Sequence, residues 1–68
     1  MMTVDTRGLS CPQPVMLATK AAKEGEFPFA VLVDTVTARD NVRRAMESAG
    51  HKVHTEETGE DYRMTVEA

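Results

Sequence analysis

Apolar residues recur along this chain with two different periods, and the switches between them mark out the elements. From Val15 to Ala22 the period is helical. Val15, Ala18, Ala21 and Ala22 share one face with Leu17 at its edge, and Gln13, Lys20, Lys23 and Glu24 lie opposite. The predicted helix runs from Pro12 to Glu24. Pro12 takes the first helical position, where a missing N–H would have been unpaired anyway, and Pro14 still falls within the first turn. Gly25 supplies the stop. Met16 falls on the polar side of the wheel, so two readings stay open: an exposed contact, or a wheel whose phase slips near the prolines and takes Met16 into the core. A second helical stripe comprises Ala38, Val42, Ala45, Met46 and Ala49, opened by Thr37 and ended by Gly50. Thr37-Ala38-Arg39-Asp40 has the shape of a capping box with Asp in place of Glu or Gln. Three stretches have the period of two or the continuous apolarity of strands. Phe29 to Val33 is apolar throughout, as suits a central strand. Val53 and Thr55 alternate with His54 and Glu56, and Tyr62, Met64 and Val66 alternate with Arg63 and Thr65. Thr58-Gly59-Glu60-Asp61 joins those two as a hairpin turn. Thr3 to Asp5 is a short first strand, and Arg7 to Ser10 a loop in which Gly8 gives the backbone freedom.

The order β-α-β-α-β-β predicts a two-layer α/β sandwich, a four-stranded mixed sheet with both helices on one face. Residues 1–68 form one domain. The sequence sets no oligomeric state, although an uncovered sheet face is a surface through which two copies could pair. A chain of 68 residues buries only about 60% of the surface it exposes when unfolded. The core is therefore thin. There is no room for a deep substrate cavity beside a cofactor domain, and no cofactor is expected. Catalysis in such a chain calls for a partner protein.

Charge narrows the partners. The net charge of -3 lies wholly in the last segment, where Glu56, Glu57, Glu60, Asp61 and Glu67 face only Lys52 and Arg63. This argues against direct nucleic-acid binding, which needs a net basic footprint. No apolar run approaches the roughly 20 residues of a membrane span. The first residues have neither the basic nor the apolar region of a signal peptide. One cysteine excludes a disulfide scaffold and a multi-cysteine metal site, and a free thiol fits a reducing cytoplasm.

That cysteine, Cys11, is the main candidate for chemistry. It sits in Leu9-Ser10-Cys11-Pro12-Gln13-Pro14-Val15, where loop turns into helix. A free thiol ionises near pH 8.5, and a helix N-terminus favours the anion through its dipole and unpaired N–H groups. Pro12 and Pro14 have no N–H, so Gln13 and Val15 are the amide candidates. The same field would favour the terminal sulfur of a persulfide. The two prolines fix the backbone and hold the sulfur on a ledge, as a carrier requires, and Arg7 is near enough in sequence to add positive charge. Other readings of the same residue are a small buried cysteine or a redox sensor, though a sensor ordinarily has a resolving cysteine and this chain has none.

Further candidates are weaker in pattern. Lys20, Lys23, Arg39, Arg43 and Arg44 form either a docking face for an acidic partner or ordinary solvated helix surface. His51 and His54 lack a third ligand, so no metal site is expected. Asp5 and Asp34 are read as loop supports.

The residues Asp5-x-x-Gly8-Leu9-x-Cys11-Pro12-x-Pro14-Val15 resemble the signature of the TusA/SirA-like sulfur-carrier family. Val31-Leu32-Val33-Asp34, Asn41-Val42-x-Arg44, Gly50-x-x-Val53 and Asp61-Tyr62-Arg63 extend the likeness to the N-terminal, TusA-like domain of YedF-type proteins, which are linked to selenium metabolism. The resemblance implies the same β-α-β-α-β-β sandwich. It implies that Cys11 accepts sulfane sulfur as a persulfide from a cysteine desulfurase or rhodanese-type donor and passes it to an acceptor protein, for which a DsrE-like protein is a candidate. Gly8, Leu9, Pro12, Pro14, Asp5 and Arg7 would shape the motif, and Gln13, Met16, Lys20 and Lys23 would meet partners. Members often carry Glu between the prolines where this chain has Gln13, and arginine later in the helix where it has Thr19. The alternative function is a regulatory or protein-interaction module that uses the same surface without the thiol.

Overall fold

Phe29–Val33 has no polar side chain to offer to water, and it becomes the inner strand of the sheet. The computed structural model describes residues 2–25 and 27–68, so Met1 and Glu26 of the expected domain lie outside the described residues. The elements are β1 (Met2–Asp5), α1 (Gln13–Glu24), β2 (Phe29–Val33), α2 (Val36–Ser48), β3 (Lys52–Thr58) and β4 (Asp61–Glu67). The strand order is β1-β2-β4-β3. β1 runs parallel to β2, and β4 runs antiparallel to both β2 and β3. The sheet is therefore mixed, as the element order predicts.

Register lines up the apolar positions. Phe29 is opposite Val66, Val31 opposite Met64 and Val33 opposite Tyr62. All of these except the half-buried Tyr62 are inaccessible, and they meet Ala18 and Ala21 of α1 and Val42 and Met46 of α2 in one core. The helices also pack on each other, α1 above β1 and β2, α2 above β3 and β4. Fully burying a side chain of this size is worth about 1.5–3 kcal/mol, so these few residues supply most of the folding drive. Thr6 is the buried polar residue among those described. Its N–H and its hydroxyl both donate to the Leu32 carbonyl, at 3.0 and 2.6 Å, and carry the β1–β2 seam one residue further.

Several boundaries differ from the sequence reading. Pro12 is not the first helical residue of α1 but its cap, at φ -99 and ψ 17, and the helix begins at Gln13. α2 begins at Val36, and its cap, Thr35, lies two positions before Thr37. Thr35 is extended (φ -135, ψ 154) and its hydroxyl accepts from the Ala38 N–H at 3.0 Å, while its carbonyl accepts from the Arg39 N–H at 3.0 Å. Thr37 is already inside the first turn, so the Thr37–Asp40 box does not form; Asp40 pairs with Arg39 instead, at 3.0 Å. At the other end of α2, Ala49 is the cap residue and is exposed, at the end of the core stripe. Gly50 takes φ 91 there, which lets its N–H reach the Glu47 carbonyl and the His51 N–H reach that of Met46, both at 3.0 Å. Gly25 closes α1 at φ 74 in the left-handed region.

The sheet face away from the helices is largely polar. By alternation and register it presents Thr3 and Asp5 of β1, Arg63 and Thr65 of β4 and His54 and Glu56 of β3, around the buried Ala30 and half-buried Leu32 of β2. Pairing two copies there would strip water from several charged groups. Among the described residues no helix is long and apolar enough to cross a membrane.

Candidate functional site

The loop between β1 and α1 is held from both sides. Arg7 closes on Asp5, with its backbone N–H and Nε each 3.0 Å from Oδ1 and a terminal nitrogen 2.8 Å from Oδ2. The other terminal nitrogen reaches Asp61 at the start of β4, at 3.2 Å. Hydrogen bonds from the Arg7 side chain, then from its backbone N–H, hold the Asp5 carboxyl well below the usual range, at about 2. The guanidinium is held charged in turn by the Asp5 and Asp61 hydrogen bonds. Gly8, at φ 81, turns its N–H onto Asp34 Oδ2 at 2.8 Å, and the Leu9 N–H returns to the Thr6 carbonyl at 3.2 Å. Asp5 and Asp34 thus serve as loop supports, as their positions suggest. Arg7 locks the loop to the sheet and directs its charge at carboxylates rather than at the sulfur.

Cys11 is free and exposed, so the buried-cysteine reading is set aside. It stands just before α1, on a cis Cys11–Pro12 bond. The Gln13 N–H donates to the Ser10 carbonyl at 2.9 Å and the Met16 N–H to that of Pro12 at 3.0 Å. The Gln13 amide expected to face the sulfur is therefore already engaged in the turn. Pro14 is buried and anchors the first turn, while Pro12 and Gln13 are exposed.

The thiol opens onto a cleft of about 440 Å³. Gly8, Leu9, Ser10 and Pro12 form one wall, Pro14 and Val15 of α1 a second, and Asp34, Thr35, Thr37, Ala38 and Asn41 the third. The N-terminal ends of both helices therefore meet at the cleft. The Asn41 side-chain amide donates to Cys11 Sγ at 3.7 Å. Sulfur's larger radius lengthens such a contact beyond the roughly 2.9 Å of N–H···O. Sequence reasoning missed Asn41, Thr37 and Thr35 as neighbours of the thiol. The one available signal was that Thr37 and Asn41 are four apart on a helix and so share a face.

The predicted partner-facing residues spread around this centre. Leu9 lines the cleft and is 38% exposed, and Met16 projects from α1 with 62% exposure, which settles its position on the polar side of the wheel. Met16, Lys20 and Lys23, with Val15 and Thr19, surround a second, shallower groove of about 350 Å³. The two depressions share Val15. Val36, at 51% exposure, is a further apolar side chain at the start of α2 that the sequence reading did not single out. Arg39 is drawn away from any basic face by Asp40 and lies 4.9 Å above the Tyr62 ring, whereas Arg43 and Arg44 are exposed. His51 packs against the Phe27 ring at 4.8 Å, and His54 bonds to Glu67 at 2.8 Å. No three metal-ligating side chains cluster among the described residues.

Residues 2–68 match the family model described as Sulfurtransferase TusA. The crystal structure of a SirA-like protein from Desulfitobacterium hafniense superposes with a TM-score of 0.91 at 35% sequence identity, covering 100% of this chain and 97% of that one.

Proposed function

This chain belongs to the TusA sulfurtransferase family, and from that premise we propose that it is a sulfur carrier whose cargo rides on Cys11. The observation that carries the reading is the thiol itself: free, exposed, and set at the mouth of a cleft on a loop tied down by Arg7, Asp5 and Asp34. A carrier's sulfur must enter the active site of a donor and then meet an acceptor. A rim position serves both encounters, and a buried one serves neither.

The exchange balances without an added oxidant or reductant. The Cys11 thiolate attacks the terminal sulfur of a donor persulfide. A new S–S bond forms at Cys11, the donor's S–S bond breaks, and its electron pair leaves with the donor's thiolate. The proton of the terminal sulfur travels with that sulfur. In the second half an acceptor thiolate attacks the same terminal atom and Cys11 leaves as thiolate. A cysteine desulfurase or rhodanese-type protein fits the donor role, and a DsrE-like protein the acceptor role. Leu9 and Met16 offer apolar contacts to such partners, with Lys20, Lys23 and Gln13 on the adjoining surface. Selenium in place of sulfur would follow the same steps.

The test is incubation with a cysteine desulfurase and free cysteine, followed by intact mass. Wild type gains the mass of one sulfur atom, reductant removes it, and Cys11→Ser gains nothing. If Cys11→Ser performs normally in the cell, the protein acts through its surface alone and the relay reading is wrong.

A further inference from the structure

We propose that Asn41 is a positioning residue for the transferable sulfur, its side-chain amide donating to the anionic form and aiming it along the cleft. This rests on the carrier reading but assigns the work of holding the anion to α2 rather than to the helix that Cys11 introduces. Asn41 Nδ2 lies 3.7 Å from Sγ. The neighbouring Val42 is fully buried and the helix start is fixed by the Thr35 cap, so the Asn41 backbone is held in place. Thr37 and Ala38 sit one turn before it on the same cleft wall. The amide of Gln13, close to Cys11 in sequence, already bonds to Ser10, and the Arg7 guanidinium already bonds to Asp5 and Asp61. Asn41 is the side chain that donates to the sulfur among the described residues.

The chemistry of the donor matters. A hydrogen bond to the charged form of a group favours that form. A neutral amide does so without creating the tight ion pair that Lys or Arg would make, so the sulfur stays free to leave. Among the described side chains lining the cleft, Asp34 is the one ionisable group besides Cys11, and its carboxylate accepts the Gly8 N–H. Of the charged neighbours on α2, Arg39 and Asp40 pair with each other. Among the described residues no cation lines the cleft to take over the task of Asn41.

The experiment is the pH profile of Cys11 alkylation by iodoacetamide in wild type, Asn41→Ala and Asn41→Asp, with thermal melts run alongside. Loss of the donor moves the midpoint of the profile up by about half to one pH unit. The rate at neutral pH changes less. One unit lowers the thiolate fraction about tenfold, while the more basic thiolate is about threefold more nucleophilic, leaving about a threefold loss. The isosteric Asn41→Asp puts a carboxylate where the donor was and moves the midpoint further up than Asn41→Ala. A merely structural role for Asn41 would lower the melting temperature and leave the midpoint in place. Unchanged midpoints in both variants, or a downward shift in Asn41→Asp, overturn the proposal. Neither result touches the carrier reading, which fails separately if wild type takes up no sulfur from the desulfurase.

Discussion

Arg7 precedes Cys11 by one turn of loop, yet its charge works on the sheet. Its bonds to Asp5 and Asp61 fix where the loop leaves β1, and the sulfur benefits only indirectly, through a ledge that does not move. The Asp5 carboxyl, lowered to about 2 from an ordinary 3.8, gives this latch a pH signature. A depressed carboxyl stabilises the fold above its unfolded value and loses that contribution as pH falls through the folded one. Wild type should therefore lose part of its stability between about pH 4 and pH 2, and Asp5→Asn should lack that part of the loss. Urea midpoints measured across this window in both proteins check it. High salt should shrink the difference, because the pair is solvent-exposed and screened. At this scale the sequence was legible wherever neighbours in the chain are neighbours in space. Cys11, Leu9, Pro12 and Gly8 form one contiguous loop and were all identifiable. Asn41, 30 positions away from Cys11, is brought to the sulfur by the fold alone.

Strand and helix identities followed from period, because a helix stripe and a strand alternation bury different residue sets. The starts of the helices did not follow. Thr35 and Thr37 both carry a hydroxyl able to cap, and the choice between them depends on where β2 stops and the chain turns back over the sheet. Asp34 decides this by bonding to Gly8, which leaves Thr35 extended and its hydroxyl aimed at the Ala38 N–H. The two threonines consequently differ in what they support. Thr35→Ala should destabilise the domain by about 1 kcal/mol, the usual cost of removing an N-cap side chain. Thr37→Ala should stay within about 0.5 kcal/mol, as for a surface position outside such a feature. Denaturant titration of the two variants distinguishes the caps, and the reverse ranking would restore the Thr37 assignment. A frayed α2 start also loosens the wall carrying Asn41, so Thr35→Ala should slow Cys11 alkylation as well.

For the molecule as a whole, the core and the chemistry occupy separate places. Met64, on an inner strand, is fully buried between the sheet partners Val31 and Thr55, whereas Cys11 stands exposed at the rim. A domain of this size has about 3–10 kcal/mol of stability in total. Met64→Ala removes about 2–5 kcal/mol by loss of burial and creation of a cavity, a large share of that total. At roughly 4–8 °C per kcal/mol, its melting temperature should fall by at least about 8 °C. Cys11→Ser exchanges one exposed atom and should melt within about 0.5 kcal/mol of wild type. Sulfur loading should show the opposite order: Met64→Ala, assayed well below its own melting point, loads as wild type does, while Cys11→Ser does not load at all. Thermal melts and intact mass on the same three samples read both quantities. If Cys11→Ser proved as destabilising as Met64→Ala, the thiol would be part of the structural framework, and a sulfur that anchors the fold cannot also be the atom that leaves the surface to meet successive partners.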